Sequence, residues 1–438
     1  MKKNRVDNIY LSLFYSFGVS LLLLRLPPFD IFSLSSKFAT THVLAKIVLV
    51  CIVFLLILIE RSRLTKMIVQ LPVSIFLLMY FFTSSISILS TISVQYFFQQ
   101  YQNVILGIII FIISILLVQK IPPRFFLVYI LIMGIGAVIF DSLFAIFPTE
   151  FLDFLKSHLQ VEMYALYYFN KTQNKFNLYL HTEILLPFLI LLTQTQLKKN
   201  SRIIFLFFVG LMGYLALFSN FRTRAIQFIF AYVASVFCLM KVFKKSIVGI
   251  SIVALIVVSL SFLVIRSNTS FDIVDRLIMS DESDVETITY RFDTFAHAFS
   301  MLQINPLSGV GLGNYKSYIN LSKTTGIADR FMRLHTEETN DNPHSVFVQI
   351  LTETGVLGFI AFIALLFYFL KSDMKLILYP ILKKDAFLYS CIIASWTIFL
   401  YGIFNPFNSV FLNGWFWFLR GLIEGVIHKK TNTYEYQK

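Results

Sequence analysis

Apolar runs of about 20 residues recur along this chain to its C-terminus, and they leave it few folds to adopt. A run of that length crosses roughly 30 Å of hydrocarbon as a helix, and a helix satisfies its own backbone where no water can. Hydrophobic residues make up 57% of the 438, more than a water-soluble domain buries. The pattern predicts an all-α polytopic membrane protein of about twelve spans, near residues 9–25, 43–60, 68–91, 103–119, 125–147, 178–196, 203–219, 225–240, 246–265, 352–370, 385–404 and 409–427.

Charge placement orients these spans. More than half of the 37 Lys and Arg residues sit in alternate short connections, among them Arg61, Arg63 and Lys66; Lys120 and Arg124; and Lys371, Lys375, Lys383 and Lys384. The positive-inside rule places those connections and both termini in the cytoplasm, so the long segments face outward. Residues 266–343 carry seven Lys/Arg against eleven Asp/Glu. The formal charge of +13 is therefore a property of loops beside anionic lipid, not of a basic folded surface, and nucleic acid is excluded as a partner. Cys51, Cys238 and Cys391 all fall within apolar runs as packing residues, so no disulfide is expected. The first run leads into Arg25-Leu26-Pro27-Pro28 without a small-residue cleavage site and is expected to be retained as a span.

Four outward features can carry chemistry. The hairpin Asn220-Phe221-Arg222-Thr223-Arg224-Ala225 is short enough to hold both arginines at the outer boundary. They either snorkel to lipid phosphate or offer a planar, permanent cation to a phosphorylated headgroup. A helix over about 286–303 has Phe292, Phe295, Phe299 and Leu302 at helical spacing, a stripe expected to pack onto the bundle or the interface, with Arg291 beside it. Asn305-Pro306 then stops that helix. The turn Gly309-x-Gly311-x-Gly313 lacks the strand and lysine of a P-loop and reads as a chain reversal needing positive φ. In Asn342-Pro343-His344-Ser345, Asn342 reads as an N-cap and Pro343 as the first helical residue, which sets His344 at the positive end of the tenth span. That position disfavours the imidazolium and keeps a neutral base available, although a lone histidine at a helix start is ordinarily structural.

In this order the four pieces resemble the O-antigen ligase and polymerase superfamily, membrane glycosyltransferases that move a finished glycan from undecaprenyl pyrophosphate to an acceptor. The resemblance rests on Arg224 just after a span, in Phe221-Arg222-Thr223-Arg224-Ala225, Arg291 in Tyr290-Arg291-Phe292, the turn Pro306 to Gly313, and His344-Ser345 with Gly355 behind Glu353-Thr354. Thr223 stands where the family more often has Ser, Ser345 where it has Asn, and Val356-Leu357 replace a threonine pair, so ligase and polymerase both stay open. The resemblance implies a GT-C-like architecture, a bacterial inner-membrane protein with its site on the periplasmic face, and a role in lipopolysaccharide or other surface polysaccharide synthesis. Its implied partners are an undecaprenyl-pyrophosphate-linked glycan donor, a glycan or lipid acceptor, and membrane lipids.

The residues suit that chemistry. Displacing pyrophosphate from an anomeric carbon requires neutralising the departing charge, which Arg224 and Arg291 can do without a metal or other cofactor, and no Asp-x-Asp motif appears. His344 then accepts the acceptor's proton, and the sugar is inverted. Arg222, Tyr290, His335 and Glu353 are the candidate substrate-binding residues, Glu353 as a partner of the histidine. Arg420 and Glu424 read as an internal ion pair on the last span, and Asp141, His181 and Glu183 as structural residues near outer span ends. The division expected is an N-terminal bundle over 1–202, a ligase-like core over 203–370 with an outer loop at 266–351, and two C-terminal spans over 371–438. A transporter or flippase of lipid-linked sugars is the alternative, and predicts broken helices and ionisable residues within the bilayer. A non-catalytic scaffold would need neither the arginines nor the histidine.

Overall fold

The computed structural model describes residues 2–23, 39–147, 153–154, 157, 182–195, 199–218, 222–244, 282–315, 345–378, 385–404 and 412–435. Among them all regular structure is helical. The helices are α1 (Lys2–Leu23), α2 (Ala39–Gln70), α3 (Val73–Ile86), α4 (Val94–Lys120), α5 (Pro123–Ile146), α6 (Leu186–Thr195), α7 (Lys199–Phe218), α8 (Arg222–Cys238), α9 (Glu282–Ile304), α10 (Val346–Leu378), α11 (Ala386–Phe404) and α12 (Trp417–Glu435). Short 3-10 turns at Ser87–Ser90 and Thr182–Leu185 extend α3 and lead into α6.

Seven described helices are long and apolar enough to cross a membrane: Val43–Arg61, Val73–Ser90, Val94–Lys120, Pro123–Leu143, Thr223–Phe243, Val346–Leu378 and Ala386–Ile403. Shorter apolar helices cover Asn8–Leu22, Thr182–Leu192 and Phe207–Ala216. These ten coincide with ten of the predicted runs. The run at 246–265 lies outside the described residues, and the last is not among the seven because α12 carries Arg420, Glu424, Lys429 and Lys430.

Two local signals explain sharp turns between spans. Ser93 caps α4, its hydroxyl accepting from the Tyr96 N–H, and Pro122-Pro123 opens α5 directly behind Ile121. At the end of α4 that carries the basic connection, Lys120 pairs with Glu60 at 2.7 Å, where α2 kinks.

The C-terminal helix packs into the middle of the molecule. Gly421 and Gly425 lie four apart on α12, and a Cβ on them would stand 2.5 Å from the Phe111 carbonyl oxygen and 2.3 Å from Val118 Cγ1. Only glycine lets α12 approach α4 this closely, the small-xxx-small device of membrane helices. The sequence segments 1–202 and 371–438 are thereby joined in one core.

The predicted Arg420–Glu424 pair is corrected by the structure. Arg420 Nη1 bonds Asp373 Oδ2 on α10 at 2.6 Å, and Trp396 Nε1 donates to the same oxygen at 2.6 Å. The Phe369 and Trp396 rings lie 4.7 and 4.8 Å from the guanidinium. An aromatic cage with a carboxylate at its mouth favours the neighbouring helix over a residue one turn along α12.

Candidate functional site

At the ends of the helices away from the basic connections lie three structures that hold predicted site residues or adjoin them in the chain. The first is a buried charge cluster. Arg224, in the first turn of α8, is fully buried; its Nε donates to Glu183 Oε1 at 2.7 Å and its Nη2 to Thr182 Oγ1 at 3.2 Å. Asp141 Oδ2 stands 3.2 Å from Nη2. Three elements thus meet at one guanidinium: α5 through Asp141, the Thr182–Leu185 turn, and α8. The sequence suggested an arginine at the membrane boundary, whereas the structure shows one enclosed by two carboxylates. Burial explains the difference, because a guanidinium out of water needs counter-charges and hydrogen-bond acceptors around it.

The second is a helix break filled by the glycine turn. Within α10, Gly355 adopts φ 67° and ψ −171°, conformations outside the helix. Such a break leaves carbonyls above it and amides below it without helical partners. The turn supplies them: the Val310 and Gly311 N–H groups donate to the Thr352 and Glu353 carbonyls, each at 2.9 Å. In return the Val356 and Leu357 N–H groups donate to the Pro306 and Leu307 carbonyls at 2.9 and 3.3 Å. The fit admits no side chain, since a Cβ on Gly309 would lie 2.5 Å from Gly355 N and one on Gly355 would lie 2.3 Å from Leu307 O. Gly309, Gly311 and Gly313 all have positive φ, as the sequence required of a tight reversal.

The far side of the turn is pinned to the connection between α3 and α4. Buried Asn314 accepts from the Ser93 N–H at 2.7 Å, and its Nδ2 donates to Thr91 Oγ1, to Ser93 O at 3.2 Å and to Leu312 O at 3.0 Å. One carboxamide, with its donor and acceptor in fixed relation, ties two loops together. Sequence reasoning passed over this residue, although an asparagine directly behind the third turn glycine was visible.

The third is α9, which docks by Thr294, His297, Ala298 and Met301 against Val310, Tyr315 and Val348. His297 stacks edge-on against Tyr315 with centroids 5.5 Å apart, and burial lowers its pKa to about 4. The predicted Phe292–Phe299 stripe is not the docking face. Phe292 and Phe299 are 66% and 51% exposed; periodicity identified an apolar face but not its neighbour.

The predicted site residues fall as follows. Arg224 is in the charge cluster. Glu353 is buried in the half-helix above the break and accepts from Gln349 Nε2 at 3.3 Å. Arg222 opens α8, and Tyr290 and Arg291 lie on α9, with their side chains outside the described residues. His335 and His344 lie outside the described residues altogether. Asn342 and Pro343, the expected N-cap and first helical residue, lie outside the described residues as well; among the described residues α10 starts at Val346, and the Ser345 carbonyl accepts from the Gln349 N–H at 2.9 Å. Ser345 stands eight residues from Glu353, about 12 Å of helix rise, and the Glu353 carbonyl takes part in the junction with the turn.

A family model described as O-antigen ligase matches residues 199–363. That segment is similar to the O-antigen ligase family. It is less than half of the chain, yet it runs from α7 through the break in α10 and contains every predicted site residue, while Asp141 and most of α12's partners lie beyond it. Among curated proteins no match was found. The O-antigen ligase segment thus includes the arginines, the glycine turn, the histidine and Gly355, and its structure gives the turn a specific task as the filler of a helix break.

Proposed function

We propose that the chain is a membrane glycan transferase of surface polysaccharide synthesis, moving a glycan from undecaprenyl pyrophosphate to an acceptor hydroxyl at the outer face of the bacterial inner membrane. The observation that carries this reading is the O-antigen ligase match over the segment holding Arg224, Arg291, the turn and His344. In the reaction the acceptor oxygen attacks the anomeric carbon, the carbon–oxygen bond to pyrophosphate breaks, and the configuration inverts. His344 takes the acceptor's proton, and undecaprenyl pyrophosphate leaves with its charge neutralised by arginine. Arg291 and Arg224 supply that charge, with Arg222, Tyr290 and His335 contacting substrate. For Arg224 this entails an exchange, pyrophosphate oxygens replacing Asp141 or Glu183 at the guanidinium. Glu353 partners and orients His344. We assign the core to 203–370 and about twelve spans to the whole.

One structural feature favours the transporter reading: a broken helix and buried ionisable residues are what a flippase of lipid-linked sugars would show. Here the break is sealed by backbone hydrogen bonds from the turn, and the family match falls on transferases. The deciding experiment gives purified protein in bilayers an undecaprenyl-pyrophosphate glycan with candidate acceptors and resolves products by size. A larger glycan and released lipid pyrophosphate support transfer; movement of the lipid-linked glycan between leaflets with no new product supports the flippase.

A further inference from the structure

The loop helix α9 presents its aromatic stripe outward, and the stripe continues onto a surface whose depth can be assigned. Phe292 and Phe299 are followed by exposed Ile304 and then Leu307, which is 64% exposed. The Leu307 carbonyl accepts from the Leu357 N–H at 3.3 Å, so Leu307 sits level with Leu357 on α10. Leu357 and Ile360 are themselves exposed on a helix whose apolar stretch qualifies as a span. Lys371 and Lys375 mark the cytoplasmic end of that helix. About 20 residues cross the hydrocarbon, which sets the opposite boundary near residue 351 and puts Leu357 and Leu307 inside it. The Leu307 side chain therefore meets the same surroundings as Leu357 and Ile360.

We propose that α9 is an interfacial helix whose Phe292, Phe299 and Ile304, with Leu307 of the turn that follows, are immersed in the bulk lipid of the outer leaflet. The turn below it enters the hydrocarbon as a re-entrant segment. Its backbone can do so because the helix break satisfies the amides of Val310 and Gly311 and the carbonyls of Pro306 and Leu307, the condition for irregular chain at membrane depth. An amphipathic helix with aromatic residues on one face is stable in that layer, its rings among the acyl chains and its polar side toward the headgroups. The opposite face, with His297 and Met301, is already occupied by the protein. This placement holds whether or not the chain transfers glycan.

The test uses the full chain in bilayers of phosphatidylethanolamine and phosphatidylglycerol, with Cys51, Cys238 and Cys391 replaced by Ala. A nitroxide is attached at Phe299→Cys, with Ile360→Cys as the mid-bilayer reference and Lys375→Cys as the aqueous one. The expected result is relaxation by oxygen over a water-soluble nickel chelate well above that at Lys375→Cys and below that at Ile360→Cys. A nickel response like that at Lys375→Cys overturns the proposal. For the unmodified chain, phospholipids with a diazirine on the acyl chain give a second readout. Crosslinks within residues 292–307 are expected, and crosslinks confined to the spanning helices overturn it.

Discussion

Arg224 shows how a residue's chemistry depends on what folding brings to it. In the sequence, Asp141, Glu183 and Arg224 are three polar residues near span ends; in the structure they are one cluster on three elements. No local pattern announces that convergence, because it depends on how α5, the Thr182–Leu185 turn and α8 pack. Removing the cation from two buried carboxylates costs about 3–5 kcal/mol by the usual measure of a broken buried pair. We predict that Arg224→Ala lowers thermal stability by that order, and that adding Asp141→Asn and Glu183→Gln restores most of it without restoring transfer. An Arg224→Ala protein of wild-type stability would contradict the cluster. His297 offers a second check. With a pKa lowered to about 4 against an ordinary value of about 6.5, it is neutral in both docked and released α9 above the ordinary value, and no stability is lost there. As pH falls from that value toward 4, only the released state takes up a proton, so docking weakens across this window. The opening equilibrium of residues 294–304, read from hydrogen exchange after dividing out the base-catalysed intrinsic rate, is expected to rise between pH 7 and pH 5 in the wild type and to stay flat in His297→Leu.

Among the elements, the spans were the most legible, since ten described helices match predicted runs. Length and hydropathy are local quantities. What a helix face meets is not: the partner of Arg420 was misread for that reason, and of the two neighbours expected for the Phe292–Phe299 stripe the exposure of those rings leaves only the interface. The glycine turn lies between these cases: its positive φ was readable from Gly309, Gly311 and Gly313, but its role needed Gly355, more than 40 residues on, to leave the helix. Gly355→Ala is predicted to open this junction. Its φ and ψ cost a side chain of order 1–3 kcal/mol in backbone strain alone, and the 2.3 Å approach to Leu307 O adds a clash. Faster exchange of the Val310 and Gly311 amides would report it. Asn314→Ala should loosen the same amides less, because it removes the pin to Thr91 and Ser93 and leaves the break filled. Unchanged exchange in Gly355→Ala would show that the turn is held by something else.

At the scale of the whole molecule, α12 closes onto α4 through Gly421 and Gly425, and the O-antigen ligase segment is framed by helices from both ends of the chain. Within that frame the turn is held between α10 and the connection from α3 to α4. The match to the ligase family and the arginine, turn and histidine motifs were visible in sequence together, since motifs survive as short strings; the buried counter-charges of Arg224 were not, as they belong to the frame. The central claim is that transfer occurs with His344 as the base, and single-turnover measurement on His344→Ala tests it most directly. Donor affinity should stay near the wild-type value, since the arginines hold the pyrophosphate, while the transfer rate falls by about 10²–10⁴. Wild-type turnover in His344→Ala, with an unchanged pH profile, would contradict the account.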